Sequence, residues 1–91
     1  PAEIENALAA HPAIFEAAVI SRPDSRWGEV GHAIIRLKEG NNVTGEEITG
    51  FCGETLARYK IPKSVEFIGE PLPRNAGGKV LKRQLRDERG F

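Results

Sequence analysis

The sequence predicts one α+β domain, a small, mostly antiparallel or mixed three-stranded sheet packed with about three helices. Three observations lead there. Ninety-one residues leave room for a single core, because a chain this short buries too little surface to support two. Runs rich in β-branched residues at 14–20, 30–37 and 64–68 are interleaved with segments of helical periodicity. No βαβ unit repeats, so the natural assembly is a small sheet backed by helices.

The elements follow in order. Residues 1–10 form a short helix: proline is tolerated in a first turn, Glu3 and Glu5 favour the N-terminal dipole, and Ile4, Ala7 and Leu8 share a face. His11-Pro12 stops it. The chain opens on proline with no initiator methionine, which implies that a segment precedes it. A strand at 14–20, a turn at Arg22-Pro23-Asp24-Ser25 and a strand at about 30–37 suggest an antiparallel pair. Thr44 and Glu47 make a T-x-x-E capping box before Ile48, Phe51, Cys52, Thr55 and Leu56, whose spacing is that of an amphipathic helix. Lys60-Ile61-Pro62 ends it, 64–68 is a third strand, 71–78 is a loop of turn formers, and 79–88 is a helix with Val80, Leu81 and Leu85 inward.

Composition excludes several classes. Forty per cent hydrophobic residues and no long polar tract indicate neither disorder nor a coiled coil. Cys52 is the only cysteine, so no internal disulfide can form, and its place on an apolar stripe marks a buried inert thiol rather than a nucleophile. That usage fits a reducing, cytoplasmic setting. No apolar run approaches the ~20 residues of a membrane span. The net charge of zero conceals a polarity: residues 1–57 hold four Lys/Arg against nine Asp/Glu, and residues 58–91 nine against four. The basic third is either a solvated face or a surface for a phosphate-bearing ligand.

Chemistry concentrates in Pro73-Arg74-Asn75-Ala76-Gly77-Gly78-Lys79-Val80-Leu81-Lys82-Arg83. Gly77 and Gly78 free the backbone to approach a ligand, and Lys79 follows where the loop enters a helix, a compact cation suited to phosphate and carboxylate oxygens. A Walker A loop is excluded, since Pro73 stands where glycine is needed and Val80 where a hydroxyl is needed. Taken alone, Gly78-Lys79 is a weak signal that a plain surface turn also explains. His11 and His32 have no acidic or cysteine partner at ligand spacing, so capping or core roles are expected and no metal site. Lys82, Arg83, Arg86 and Arg89 fall at i, i+3 and i+4 spacing and are expected to share one cationic helical face.

Several short segments occur in a telling order: Glu3-Ile4-Glu5 with His11-Pro12, Glu16-Ala17-Ala18-Val19-Ile20, Pro23-Asp24 with Trp27-Gly28-Glu29, Phe51-Cys52, Tyr59-Lys60-Ile61-Pro62, and the 73–86 block. Over nearly its whole length the chain resembles the C-terminal domain of acyl-CoA synthetases, of the adenylate-forming superfamily. The resemblance implies that residues 1–91 are a mobile lid whose partner is a large N-terminal domain of the same enzyme, and that the fragment alone binds no cofactor and is inactive. It implies ATP, Mg2+ and coenzyme A as cofactors of the complete enzyme, and a small-molecule carboxylic acid as substrate. Lys79 aligns with the family's catalytic lysine for adenylation. Trp27, Tyr59 and Lys63 match positions near the nucleotide end of coenzyme A in some relatives, with partly buried packing the competing account for the two aromatics; a position basic in some relatives is here Ile61. A peptide-synthetase adenylation domain that loads a carrier protein is the nearest alternative. A nucleic-acid-binding module is a rival of another class, but residues 68–90 carry no stacking aromatic.

Overall fold

The computed structural model describes residues 2–91, so Pro1 of the expected first helix lies outside the described residues. Helix α1 spans Ala2–Ala9, strand β1 Ile14–Asp24, β2 Gly28–Leu37, helix α2 Gly45–Cys52, a 3-10 turn Arg58–Lys60, β3 Ser64–Phe67 and helix α3 Lys82–Glu88. The sheet order is β1-β2-β3. β1 and β2 are antiparallel, with Ala18 opposite Ile34 and Val19 opposite Ala33. β2 and β3 run parallel, with His32 opposite Ser64, and α2 supplies the crossover that a parallel pair requires. The expected α+β domain with a mixed three-stranded sheet is the one found.

Three boundaries differ from expectation, each for a local reason. The hairpin is tighter than the 22–25 turn signal: Arg22 and Pro23 belong to β1, an edge strand where proline's missing N–H costs no ladder bond. The turn is Ser25-Arg26-Trp27, closed by Asp24 Oδ1, which accepts from the backbone N–H groups of Arg26 and Trp27, and by Gly28 at φ +80°. Helix α2 starts as its capping box predicts, with Thr44 Oγ1 accepting from Glu47 N at 3.1 Å. It stops at Cys52, and Leu56 reaches the core from the turns that follow. Helix α3 begins three residues later than expected, at Lys82, because Val80 bridges to Arg74 and Leu81 N donates to Pro73 O, holding the loop extended until then.

Successive strand residues feed two different layers. Val19, Ala33 and Ile35 pack with Leu8 of α1 and Ile48 and Cys52 of α2. Ala18, Ile20 and Ile34 pack on the other face with Leu72 and with Leu85 of α3. Burial on both faces explains the continuous apolar runs in β1 and β2, where a one-sided sheet would alternate. Each fully buried Leu or Ile contributes about 1.5–3 kcal/mol. Cys52 is fully buried, and burial pushes its thiol pKa up, away from the reactive thiolate. The histidines take structural roles: His11 Nδ1 accepts from Ala13 N at 3.0 Å, and His32 lies 2.6 Å from Ser64 Oγ and 2.9 Å from Glu66 Oε1.

The free edge of β1 is covered by side chains rather than by a fourth strand. Val19 N donates to Glu5 Oε2 at 2.8 Å, so an acid from α1 satisfies an edge amide that could otherwise template aggregation. On the α3 side, Arg89 donates through Nε and Nη2 to the two oxygens of Glu66, both at 2.7 Å. This fork holds the Glu66 pKa at about 2 against an ordinary 4.5, outweighing partial burial, with His32 adding to the effect. A folded-state pKa below the unfolded one adds stability that is complete above about pH 4.5 and is lost as pH falls toward 2. Glu16 and Asp24 are also lowered and act with the same sign. The chain is therefore expected to hold its urea midpoint from neutrality down to about pH 5 and to lose it steeply below. Glu66→Gln should shrink that acid slope; a variant with the parent's full slope would show that the fork does not carry it.

Candidate functional site

The opposed charges of the two chain segments meet in the fold. Glu3 pairs with Lys60, Glu5 with Lys82, Glu16 with Arg74 and Glu29 with Arg86, while Glu66 pairs with Arg89 inside the basic third. These contacts correct the expectation of one cationic face: Lys82 and Arg86 of α3 point to Glu5 and Glu29 of the acidic two-thirds, and Arg89, just past the helix, points to Glu66 of β3. Of the basic residues in the C-terminal third, those without an ion pair among the described residues are Arg58, Lys63, Lys79 and Arg83. All four border one of two clefts.

The first cleft, of about 990 Å³, is built around the loop at 74–80 and carries Lys79, with Glu5, Arg83 and Gln84 on its walls. The loop is held by its own backbone and by Asn75. Asn75 Oδ1 accepts from Gly77 N at 2.9 Å and Lys79 N at 3.0 Å, while Asn75 N donates to Lys79 O at 2.9 Å. Gly78 takes φ +87°, which a side chain would strain, and its N–H donates to Asn75 O. Gly78 therefore shapes the turn that presents Lys79. The Lys79 side chain is exposed, neither turned into the core nor tied to a neighbour among the described residues. It does not open a helix, contrary to expectation; α3 starts three residues on.

The second cleft, of about 1230 Å³, brings together Trp27 from the β1–β2 hairpin, Tyr59 from the 3-10 turn and Lys63 from the entry to β3. These three residues, 36 positions apart at their extremes in the sequence, line one surface with Arg58, Arg83 and Phe91. Trp27 is 62% exposed and Tyr59 80% exposed, which decides against packing within this domain as the reason for either aromatic. Each carries a cation at its ring, Arg26 at 5.0 Å from Trp27 and Lys60 at 5.7 Å from Tyr59. Lys63 is fixed through its backbone, Lys63 N donating to Gly31 O at 2.9 Å, with its side chain on the cleft.

Two open clefts, each with unpaired cations, one with exposed aromatics, are suited to phosphate groups and a flat base. Lys82, Arg83 and Asp87 of α3 border both, so this helix separates them. Arg58, which sequence spacing did not single out, and Arg83, expected only as part of a cationic helical face, stand beside the expected residues, and what distinguishes them is the lack of an ion-paired acid among the described residues. Among the described residues no group of three or more His, Cys, Asp or Glu could hold a metal ion. No described helix is long and apolar enough to cross a membrane.

A family model, the AMP-binding enzyme C-terminal domain, matches residues 3–79. The chain is 47% identical over 88 residues to the long-chain-fatty-acid–CoA ligase FadD13 of Mycobacterium tuberculosis, covering 97% of this chain and 17% of that protein. It is 51% identical over 86 residues to the 2-succinylbenzoate–CoA ligase of Bacillus cereus, covering 94% of this chain and 17% of that one. Among solved structures, a Mycobacterium tuberculosis fatty acyl CoA synthetase superposes with a TM-score of 0.88 at 46% identity, over 97% of this chain and 17% of that one. The o-succinylbenzoate CoA synthetase of Bacillus subtilis in complex with its acyl-adenylate intermediate superposes with a TM-score of 0.87 at 45% identity, over 96% and 17% of the two chains. The chain thus spans about a sixth of the length of the relatives it matches. From the match across 3–79 and identities near one half, it follows that the chain belongs to the family of AMP-binding enzyme C-terminal domains.

Proposed function

We propose that this chain is the mobile C-terminal domain of an ATP-dependent acid–thiol ligase, which activates a carboxylic acid as its acyl-adenylate and transfers the acyl group to coenzyme A. The observation that carries the proposal is the placing of the unpaired cations: Lys79 on one cleft, Arg58 and Lys63 on the other, and Arg83 between them. An ionised carboxylate that approaches the α-phosphate of ATP needs positive charge at the meeting point, and the exposed ammonium of Lys79 is the group on this domain that supplies it. Pyrophosphate leaves, and Lys79 steadies the charge on the oxygens as the new anhydride bond forms. For the second step the other cleft faces the N-terminal domain, where Trp27 and Tyr59 offer stacking surfaces for adenine and Lys63 meets a phosphate of coenzyme A while its thiolate displaces AMP. Gly77 and Gly78 let the loop backbone come close to the nucleotide. The Mg2+ that accompanies ATP neutralises phosphate charge and belongs to the N-terminal domain in this reading.

Free coenzyme A is favoured over a carrier protein because the relatives named above are CoA ligases and the second cleft pairs aromatics with cations. Their names range from long-chain fatty acids to 2-succinylbenzoate, so the proposal is for a carboxylic acid, with fatty acids one candidate class. The proposed setting is the cytoplasm. The test is the complete enzyme assayed with acid, ATP and either coenzyme A or a phosphopantetheinylated carrier: thioester on free coenzyme A supports the proposal, and thioester on the carrier alone defeats it. Lys63→Glu should raise the Michaelis constant for coenzyme A about tenfold, the worth of one charge-assisted contact, and leave pyrophosphate release unchanged. An unaltered constant removes Lys63 from the site.

A further inference from the structure

Glu16 does something its place in an edge strand does not require. The β1–β2 register shifts between Ile14 and Glu16, a bulge that re-aims the side chain that follows it. The carboxylate then sits with only 12% of its side chain exposed and accepts three hydrogen bonds. Oε2 accepts from Leu72 N at 3.0 Å and from Arg36 Nη1 at 3.1 Å, and Oε1 accepts from Arg74 Nη2 at 2.8 Å. Burial alone would raise the Glu16 pKa, yet the bonds from Arg74, Leu72 and Arg36 outweigh it and hold the group ionised. Arg74 uses its other terminal nitrogen: Nη1 donates to Gly78 O at 2.8 Å, the carbonyl of the peptide bond that leads into Lys79.

The relay therefore runs from a fixed strand, through one carboxylate and one planar guanidinium, to the peptide before the ammonium-bearing residue. Asn75 follows Arg74 in the chain, and its side chain and backbone bind Lys79 N and O. We propose that Glu16 and Arg74 act as a clamp that positions Lys79 for adenylation, so that both are positioning residues for that half-reaction and for no other. The clamp rests on the proposed role of Lys79. A carboxylate held this far from water is a poor source of stability compared with an apolar side chain of its size. Two of its three bonds go to Leu72 and Arg74 at the start of the loop, the third comes from Arg36 of β2, and Arg74 carries the link on to Gly78 at the loop's far end. A guanidinium is the group for the second link, since its fork spans two acceptors at once and an ammonium cannot.

The test uses the complete enzyme with Glu16→Gln, and with Arg74→Gln as a variant at a more exposed site that spares the buried carboxylate. Each half-reaction is followed separately, pyrophosphate release from acid and ATP, and thioester formation from preformed acyl-adenylate. The clamp predicts a fall of about 10- to 100-fold in the turnover of the first, the scale of a misplaced reacting group, with Michaelis constants for acid and ATP and the whole second half-reaction unchanged. Equal losses in both half-reactions, or no loss in either variant, overturn it. Lys79→Ala assayed beside them separates the two claims. If Lys79→Ala abolishes adenylation while Glu16→Gln and Arg74→Gln do not, the clamp alone is wrong; if Lys79→Ala also adenylates normally, the role of Lys79 is wrong.

Discussion

Replacing Lys79 by alanine in the complete enzyme is expected to slow acyl-adenylate formation by about 10²- to 10³-fold, or about 3–4 kcal/mol of transition-state stabilisation, while coenzyme A still captures preformed acyl-adenylate at the parental rate. The magnitude is that of removing one preorganised charge from the reacting oxygens. Preorganisation is visible in the chain: the Lys79 backbone is bonded at both its N–H and its carbonyl to Asn75, and Gly78 ahead of it is held by Arg74. The ammonium itself is exposed and has no acid to neutralise it among the described residues. Folding should be untouched, since an exposed side chain without partners leaves neither cavity nor orphaned polar group when truncated. Lys79→Arg should recover little, because a planar fork does not reproduce a compact charge between two anions. Rapid-quench measurement of pyrophosphate release, set against single-turnover thioester formation, checks both halves. Equal slowing in the two would refute the division of labour.

Much of this was legible in one dimension. Period-3.6 and β-branched patterns found all three helices and all three strands, and the Thr44–Glu47 box placed the start of α2 to the residue. Lys79 was singled out by the resemblance of the 73–86 block, since two glycines and a lysine are alone a weak signal, and the structure leaves its side chain exposed on a cleft. The boundaries that moved were those set by partners far along the chain: α3 waits until Lys82 because Arg74 pairs with Val80, and β1 runs through Pro23 because an edge strand tolerates it. The charge pattern misled in an instructive way. Periodicity put Lys82, Arg83, Arg86 and Arg89 on one face, yet it could not say that Glu5, Glu29 and Glu66 would meet three of them. Pairing of this kind joins residues as many as 77 apart, Glu5 and Lys82, and only its outcome reveals which cations remain for a ligand. Trp27, Tyr59 and Lys63 likewise lie on three separate elements, and their meeting on one cleft is a property of the hairpin and the crossover together.

Ile34→Ala is expected to be among the most damaging single truncations for the fold, at about 2–5 kcal/mol, against about 0.5–1.5 for Ile34→Val. Ile34 is fully buried in the central strand, and its neighbour across the β1–β2 ladder is Ala18, too small to fill the space that truncation would open. The layer it supports is the thinner of the two, with Ile20, Leu72 and Leu85 as its other large buried members. A small domain commonly has about 5–15 kcal/mol in total, so the alanine variant would lose a large fraction of its stability. Urea midpoints should fall in the order parent, valine, alanine with the denaturant slope unchanged, as they do when stability alone changes. The loss should also be uneven. Helix α3 has seven residues and one fully inward anchor, Leu85, so it is too short to persist unless packed. Amides of 82–88 should then exchange with solvent sooner than those of β2, and the Lys79 loop, held between Leu72 and α3, should loosen with them. Uniform acceleration across the sheet and α3 would mean that the domain opens only as a whole, and that the layer under α3 is no weaker than the one under α1 and α2.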